Sequence, residues 1–252
     1  VIFSLGPLHI RWYGLMYILG FAATYVLVRK QIKDFKYKEL AAHFENLNVI
    51  LILCVIIGGR LGYVVFYNFA YYLAHPLEIP ATWSGGMSFH GACIALFAGG
   101  WIFCRKNNLN LWKAADIYAA TFPIGIGLGR IGNFINGELF GRTTELPWGM
   151  VFPGAGKLPR HPSQLYEALL EGLVLFVVLY LLHRRNAAHG VPFFVFFIGY
   201  GLFRFLVEFV RQPDAHLGFL WGGATMGQLL SLPMILFGLG GLVYLYSQRG
   251  RV

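Results

Sequence analysis

Seven stretches of predominantly apolar residues run along the chain, at approximately 12–28, 47–67, 88–104, 115–135, 165–182, 192–210 and 223–246. Each approaches the roughly 20 residues that an α-helix needs to cross a hydrocarbon core. A helix satisfies its own backbone hydrogen bonds, which lipid cannot do for it, so the pattern predicts an all-α, polytopic membrane protein of about seven transmembrane helices. Residues 1–252 are expected to form a single transmembrane domain. The longest connection, about 136–163, is rich in Gly and Pro and is expected to form a small loop cap within it, since long loops in compact folds are usually functional.

Composition supports the membrane class. Apolar residues make up 57% of the 252 positions and charged residues only 12%, about half the share of a soluble domain. A net charge of +9 raises the question of nucleic acid, but Lys and Arg fall in short clusters between apolar stretches, and no basic stripe runs along a polar face. Anionic lipid is the better match. Opening at Val1 without an initiator Met, the chain is expected to be preceded by a few further residues.

The clusters set an orientation. Arg29, Lys30, Lys33, Lys36 and Lys38, then Arg105, Lys106 and Lys113, then Arg184 and Arg185, and finally Arg249 and Arg251 occupy alternate connections and therefore one side. The other side has Arg11, Arg142, Lys157, Arg160 and Arg211. The positive-inside rule puts the first group in the cytoplasm, the N-terminus outside and the 136–163 cap on the outer face.

Arg60, Arg130 and Arg204 remain, all within spans and towards their outward ends. An arginine facing lipid costs a few kcal/mol, so each needs a partner or a task. Arg204 and Glu208 are four apart and can neutralise each other. Arg60 has no acid within helical reach, which leaves a carboxylate or carbonyl elsewhere, or snorkelling. Arg130 lies in Gly125-Ile126-Gly127-Leu128-Gly129-Arg130-Ile131-Gly132-Asn133, where Gly125 and Gly129 permit close helix approach. Arg130 and Asn133 share a face, and a guanidinium fork beside a carboxamide suits an anionic oxygen. Tyr200, Arg204, Glu208 and Arg211 form a second polar stripe, which must face protein or a wet cavity.

His90, in a glycine-rich run at the mouth of the third span, is a candidate base, because imidazole titrates near neutrality. Cys54, Cys93 and Cys104 match no zinc spacing and read as small packing residues. No Gly-x-Ser-x-Gly elbow, seventh-span Lys or paired intramembrane Asp is present, so serine hydrolysis, retinal binding and metal-dependent phosphoalcohol transfer find no support.

Several blocks then stand out together: Trp12-Tyr13-Gly14-Leu15-Met16-Tyr17, Gly85-Gly86-Met87-Ser88-Phe89-His90-Gly91, and Gly129-Arg130-Ile131-Gly132-Asn133-Phe134-Ile135-Asn136-Gly137-Glu138. They continue with Arg160-His161-Pro162-Ser163-Gln164-Leu165-Tyr166-Glu167, Tyr200-Gly201-Leu202-Phe203-Arg204 and Val207-Glu208-Phe209-Val210-Arg211-Gln212-Pro213-Asp214. In this order, and over nearly the whole chain, they resemble the signature of the bacterial phosphatidylglycerol–prolipoprotein diacylglyceryl transferases.

The resemblance implies a multi-pass enzyme of the bacterial plasma (inner) membrane. It would move the diacylglyceryl group of phosphatidylglycerol onto the lipobox cysteine thiol of a prolipoprotein signal peptide, forming a thioether and releasing glycerol phosphate, the first step of lipoprotein maturation. Its expected partners are those two substrates and the bilayer, with no nucleic acid, and no metal or organic cofactor is expected. On this reading Arg130 and Arg204 clamp the phosphate, and His90 is the thiol base. Tyr13 and Asn133 orient the headgroup, while Glu138 and Glu208 hold the arginines or bind glycerol hydroxyls. Arg60 and Tyr200 join the substrate-binding set, and Gly141 resembles a position where the outer loop needs a residue without a side chain. The rival from another class is a lipid or anion transporter that uses the same arginines as a binding station.

Overall fold

The computed structural model of the chain describes residues 3–5, 8–10, 12–82, 85–185, 187–213 and 220–249, and most of these are helical. The exception among regular elements is a ribbon before the first helix, where β1 (Phe3–Leu5) pairs antiparallel with β2 (Leu8–Ile10). Both triplets alternate apolar and polar residues, the period of a strand. The remaining elements are α1 (Trp12–Asp34), α2 (Lys38–Tyr67), α3 (Phe69–Ala74), α4 (Phe89–Lys106), α5 (Leu111–Ala119), α6 (Phe122–Asn136), α7 (Ser163–Glu167), a π-helical stretch (Ala168–Val174), α8 (Leu175–Arg184), α9 (Val191–Val207) and α10 (Met226–Arg249), with short 3-10 turns at Pro76–Glu78 and Trp221–Gly223. Among the described residues, Lys38–Tyr67, Ser163–Arg184 and Met226–Gln248 are long and apolar enough to cross a membrane, and Val191–Val207 is a shorter apolar helix.

The fourth apolar stretch, expected as one helix over 115–135, is two. Pro123 in the first turn of α6 has no N–H to continue the ladder, and its ring clashes with the preceding turn. Thr121 closes the end of α5 instead, with both its N–H and its hydroxyl donating to the Tyr118 carbonyl at 2.9 Å.

Two units divide the chain, one of Gln31–Ala114 and the other of Val1–Lys30 with Ala115–Val252. In the first, α2 and α4 touch through small residues. A Cβ at Gly62 would lie 2.6 Å from the Gly91 Cα, and one at Gly58 would lie 2.2 Å from the Ala95 Cβ. Such stripes let helix backbones approach where no hydrophobic effect drives association. Cys54 fills part of the same seam, its sulfur 2.3 Å from where a Gly99 Cβ would stand.

In the second unit a core of Ala120, Leu175 and Leu179 is closed by Val195, Phe196, Tyr200 and Phe203. Of the two α6 glycines expected at close helix approaches, Gly125 is at one, since a Cβ at Gly20 of α1 would stand 3.2 Å from the Gly125 Cα. Gly127 provides the closest approach, to Gly172 of the π stretch, where an added Cβ would stand 2.8 Å from the Gly127 Cα. A Cβ at Gly125 or at Gly129 would itself meet nothing within 4 Å. Asp116 of α5, buried, accepts from the Gly190 and Phe193 backbone N–H groups at 2.7 and 3.0 Å. A carboxylate on those orphan donors fixes the start of α9, the helix that carries Arg204.

Candidate active site

The second unit gathers six ionisable side chains from four segments. Glu167, at the end of α7, is their hub. Its Oε2 lies 3.1 Å from Arg130 Nε of α6, and its Oε1 accepts from Arg204 of α9 and, at 2.8 Å, from Arg211. Glu171 in the π stretch meets Arg130 Nη2 at 3.3 Å. Glu208, one helical turn after Arg204, pairs with it and lies 3.5 Å from Arg211 Nε, while its second oxygen accepts from the Thr225 hydroxyl at 2.6 Å.

Burial in this cluster is one-sided. Side-chain exposure is 0% for Glu167 and Glu171 and 3% for Glu208, against 17% for Arg130 and 16% for Arg204. The carboxylates are the more deeply buried partners, and the Arg130 and Arg204 side chains each keep part of their surface accessible. Such fixed, planar donors are suited to an anionic oxygen, because they need no reorganisation when charge develops in front of them. The π stretch that separates Glu167 from the next helix is of a kind that recurs at functional sites.

Beside the cluster, α6 ends at Gly137, whose φ of 68° is the left-handed cap that favours glycine. The chain then turns Glu138 back so that it accepts from the Asn133 and Asn136 amides at 2.9 and 3.2 Å. Its partners are therefore carboxamides, and Glu208 alone of the two expected acids holds arginines. Gln164 donates to the Glu138 carbonyl at 2.6 Å and tethers α7 to this turn.

The 136–163 segment is knitted by backbone bonds. Gly141 N–H donates to the His161 carbonyl, and Arg142 N–H to that of Val210, both at 2.8 Å. A Cβ at Gly141 would stand 2.6 Å from both the His161 Cβ and the Val210 oxygen, so a side chain there has no room. Arg142 also reaches the carbonyls of Arg211 (3.0 Å) and Glu208 (3.2 Å), fastening the loop to the end of α9.

Of the other candidates, Tyr200 stacks on Phe196 with centroids 5.9 Å apart and lies within electrostatic range of Glu171 and Arg130. Arg60 belongs to the first unit. Its Nε donates to Ile79 O at 2.7 Å, Nη2 to Glu78 O at 2.8 Å, and Nη1 to Gly85 O and Gly86 O at 2.5 and 3.2 Å. Its guanidinium also covers the Tyr72 ring at 5.0 Å. Carbonyls thus partner this buried arginine, and Gly85 and Gly86, at φ 85° and 81°, turn theirs towards it. His90 lies in the first turn of α4 and Tyr13 in the first turn of α1; their side chains fall outside the described residues.

Glu167 and Glu171 are the residues that sequence reasoning missed. The signal was present: two acids four apart inside an apolar stretch meet the same criterion that singles out Arg130 and Arg204.

The family model for prolipoprotein diacylglyceryl transferase matches residues 1–244. The phosphatidylglycerol–prolipoprotein diacylglyceryl transferase of Desulfotalea psychrophila is 62% identical over 245 residues, covering 95% of this chain and 90% of that protein. Proteins of the same name from Geobacter sulfurreducens and Bordetella avium are 54% identical over 249 residues (99% and 95% covered) and 53% over 245 residues (95% and 91% covered). With its own arginine–glutamate cluster lying inside the matched region, the chain belongs to the prolipoprotein diacylglyceryl transferase family.

Proposed function

We propose that this protein transfers the diacylglyceryl group of phosphatidylglycerol to the lipobox cysteine of prolipoproteins. The observation that carries the site assignment is the pair Arg130 and Arg204, each partly open and each held from behind by a buried glutamate. In the reaction the thiolate attacks the glyceryl carbon, the C–O bond to phosphate breaks, and glycerol phosphate departs. Negative charge on the departing oxygen grows as the bond lengthens, and the two guanidinium groups stabilise it. His90 is the proposed thiol base, and Tyr13 and Asn133 orient the headgroup. Arg60 is assigned to the substrate-binding set on the family resemblance alone.

The protein is read as a bacterial inner-membrane enzyme with seven spans in one transmembrane domain, its N-terminus and the 136–163 cap on the outer side. The excess of Lys and Arg in alternate connections supports that orientation. A transporter reading gains nothing from relatives that are named as transferases.

The test is incubation of purified protein with phosphatidylglycerol and a lipobox peptide, with mass spectrometry of the peptide. A thioether-linked diacylglyceryl product is expected, and lipid movement without covalent product would favour transport. His90→Gln is expected to bind phosphatidylglycerol but not to turn it over; an active variant would move the base elsewhere.

A further inference from the structure

We propose that Glu171 takes up a proton when an anionic lipid headgroup binds at Arg130 and Arg204. The inference rests on the phosphate-clamp reading above. Three arginines, Arg130, Arg204 and Arg211, face three glutamates, Glu167, Glu171 and Glu208, so the cluster is formally neutral before any ligand arrives. A phosphodiester adds one negative charge in a setting where an uncompensated charge is costly. Protonation of one carboxylate restores the balance, and the guanidinium groups then face two carboxylates and one phosphate.

The geometry selects Glu171 among the three. Glu167 is held by three arginines, and Glu208 by two together with the Thr225 hydroxyl. Glu171 has the single contact to Arg130 Nη2 at 3.3 Å, and its Oε1 is buried without a hydrogen-bond partner among the described residues. It loses least as an anion, and as an acid its unused oxygen carries the proton. The groups facing it are Arg130 from α6, Glu167 from α7, and Tyr200 and Arg204 from α9. Following Glu171, α8 is apolar from Leu175 to Leu179 and adds no charge there. When phosphate approaches Arg130, it draws on the one guanidinium that Glu171 holds, and the carboxylate's reason to stay ionised weakens further.

Phosphatidylglycerol in detergent micelles is titrated calorimetrically into the purified full chain, in buffers of different ionisation enthalpy, which gives the protons exchanged per lipid bound. Wild type is expected to take up about one proton per lipid, and Glu171→Gln, uncharged in both states, to take up none. Correspondingly, KM for phosphatidylglycerol should rise with pH in wild type, by up to about tenfold per unit, and lose that dependence in Glu171→Gln. Binding without uptake by wild type overturns this inference and leaves the clamp standing. Uptake that persists undiminished in a folded Glu171→Gln protein assigns the proton to another group and overturns it as well. No binding by wild type overturns the clamp, and this inference with it. The wild-type measurement decides the central point even where the variant misfolds.

Discussion

Arg130 of α6 and Glu167 of α7 form an ion pair 3.1 Å long in which the glutamate side chain is wholly buried and the arginine side chain is 17% exposed. The same carboxylate also holds Arg204 and Arg211, so one acid sets the positions of three bases. The two arginines of the proposed clamp are therefore spaced by a shared partner, and a change at Glu167 moves both. The cluster also ties α6, α7 and α9 together.

Replacing either clamp arginine by lysine should nearly abolish transfer. Arg130 reaches Glu167 through Nε and Glu171 through Nη2, and a lysine ammonium, a point charge on a flexible stem, cannot hold both and still face a phosphate. Loss of one donor at a comparable charge-stabilising site costs roughly 10²–10³ in rate. Transfer rate and melting temperature measured on the same preparations of Arg130→Lys and Arg204→Lys separate the roles. Inactive but equally stable protein is the expected result; active but less stable protein would make the arginines structural.

Glu167→Gln should lower both stability and activity, because it leaves three guanidinium groups around a neutral amide. Breaking a buried ion pair from one side costs about 3–5 kcal/mol. The measurement is thermal unfolding in detergent together with transfer rate. Unchanged melting would mean that the three arginines are held by their other partners, and that Glu167 is not the hub.

Much of the fold was legible in the sequence. Six of the seven apolar stretches fall largely on one unbroken helical run each and the fourth on two helices, because long apolar runs and their polar interruptions are local signals. The Arg204–Glu208 pair was legible for the same reason, being four residues apart on one helix. Pro123 announced the break between α5 and α6, although the hydropathy of the stretch masks it. What no local pattern reveals is which distant groups meet. Arg130 and Glu171 are 41 residues apart, and Arg204 and Glu167 are 37 apart. The sequence left Arg60 open between carboxylate, carbonyl and solvent, and only the path of the loop through Gly85 and Gly86 decides for carbonyls. Gly141 carried no physical reason until the crowding by His161 and Val210 supplied one.

The proposed orientation has a direct test. In a background with Cys54, Cys93 and Cys104 replaced by alanine, which should remain active, Lys36→Cys is expected to resist an impermeant thiol reagent in intact cells, and Lys157→Cys to react. The reverse pattern would invert the topology and move the cap and the arginine cluster to the cytoplasmic side.

Gly141→Ala should damage the site from outside it. The added methyl would stand 2.6 Å from the Val210 carbonyl oxygen and from the His161 Cβ, and 2.8 Å from the His161 oxygen. Two of those three neighbours are backbone atoms, so relief requires the loop to part from the residues that follow α9. The strands of that seam also carry the Gly141 N–H bond to His161 and the Arg142 N–H bond to Val210, and Arg211 is the next residue after Val210. Overpacking of this kind costs typically about 1–3 kcal/mol. Transfer should fall by more than the loss of folded protein explains, since Arg211 and, through Glu167, the clamp arginines shift with the seam. The control is Gly240→Ala in α10, where a Cβ meets nothing within 4 Å and a helix interior gains from alanine. Melting temperature and transfer rate of the two variants, compared with wild type, are the measurement. A Gly141→Ala protein that keeps wild-type activity would show that the seam yields without disturbing the arginines, and would uncouple the cap from the site.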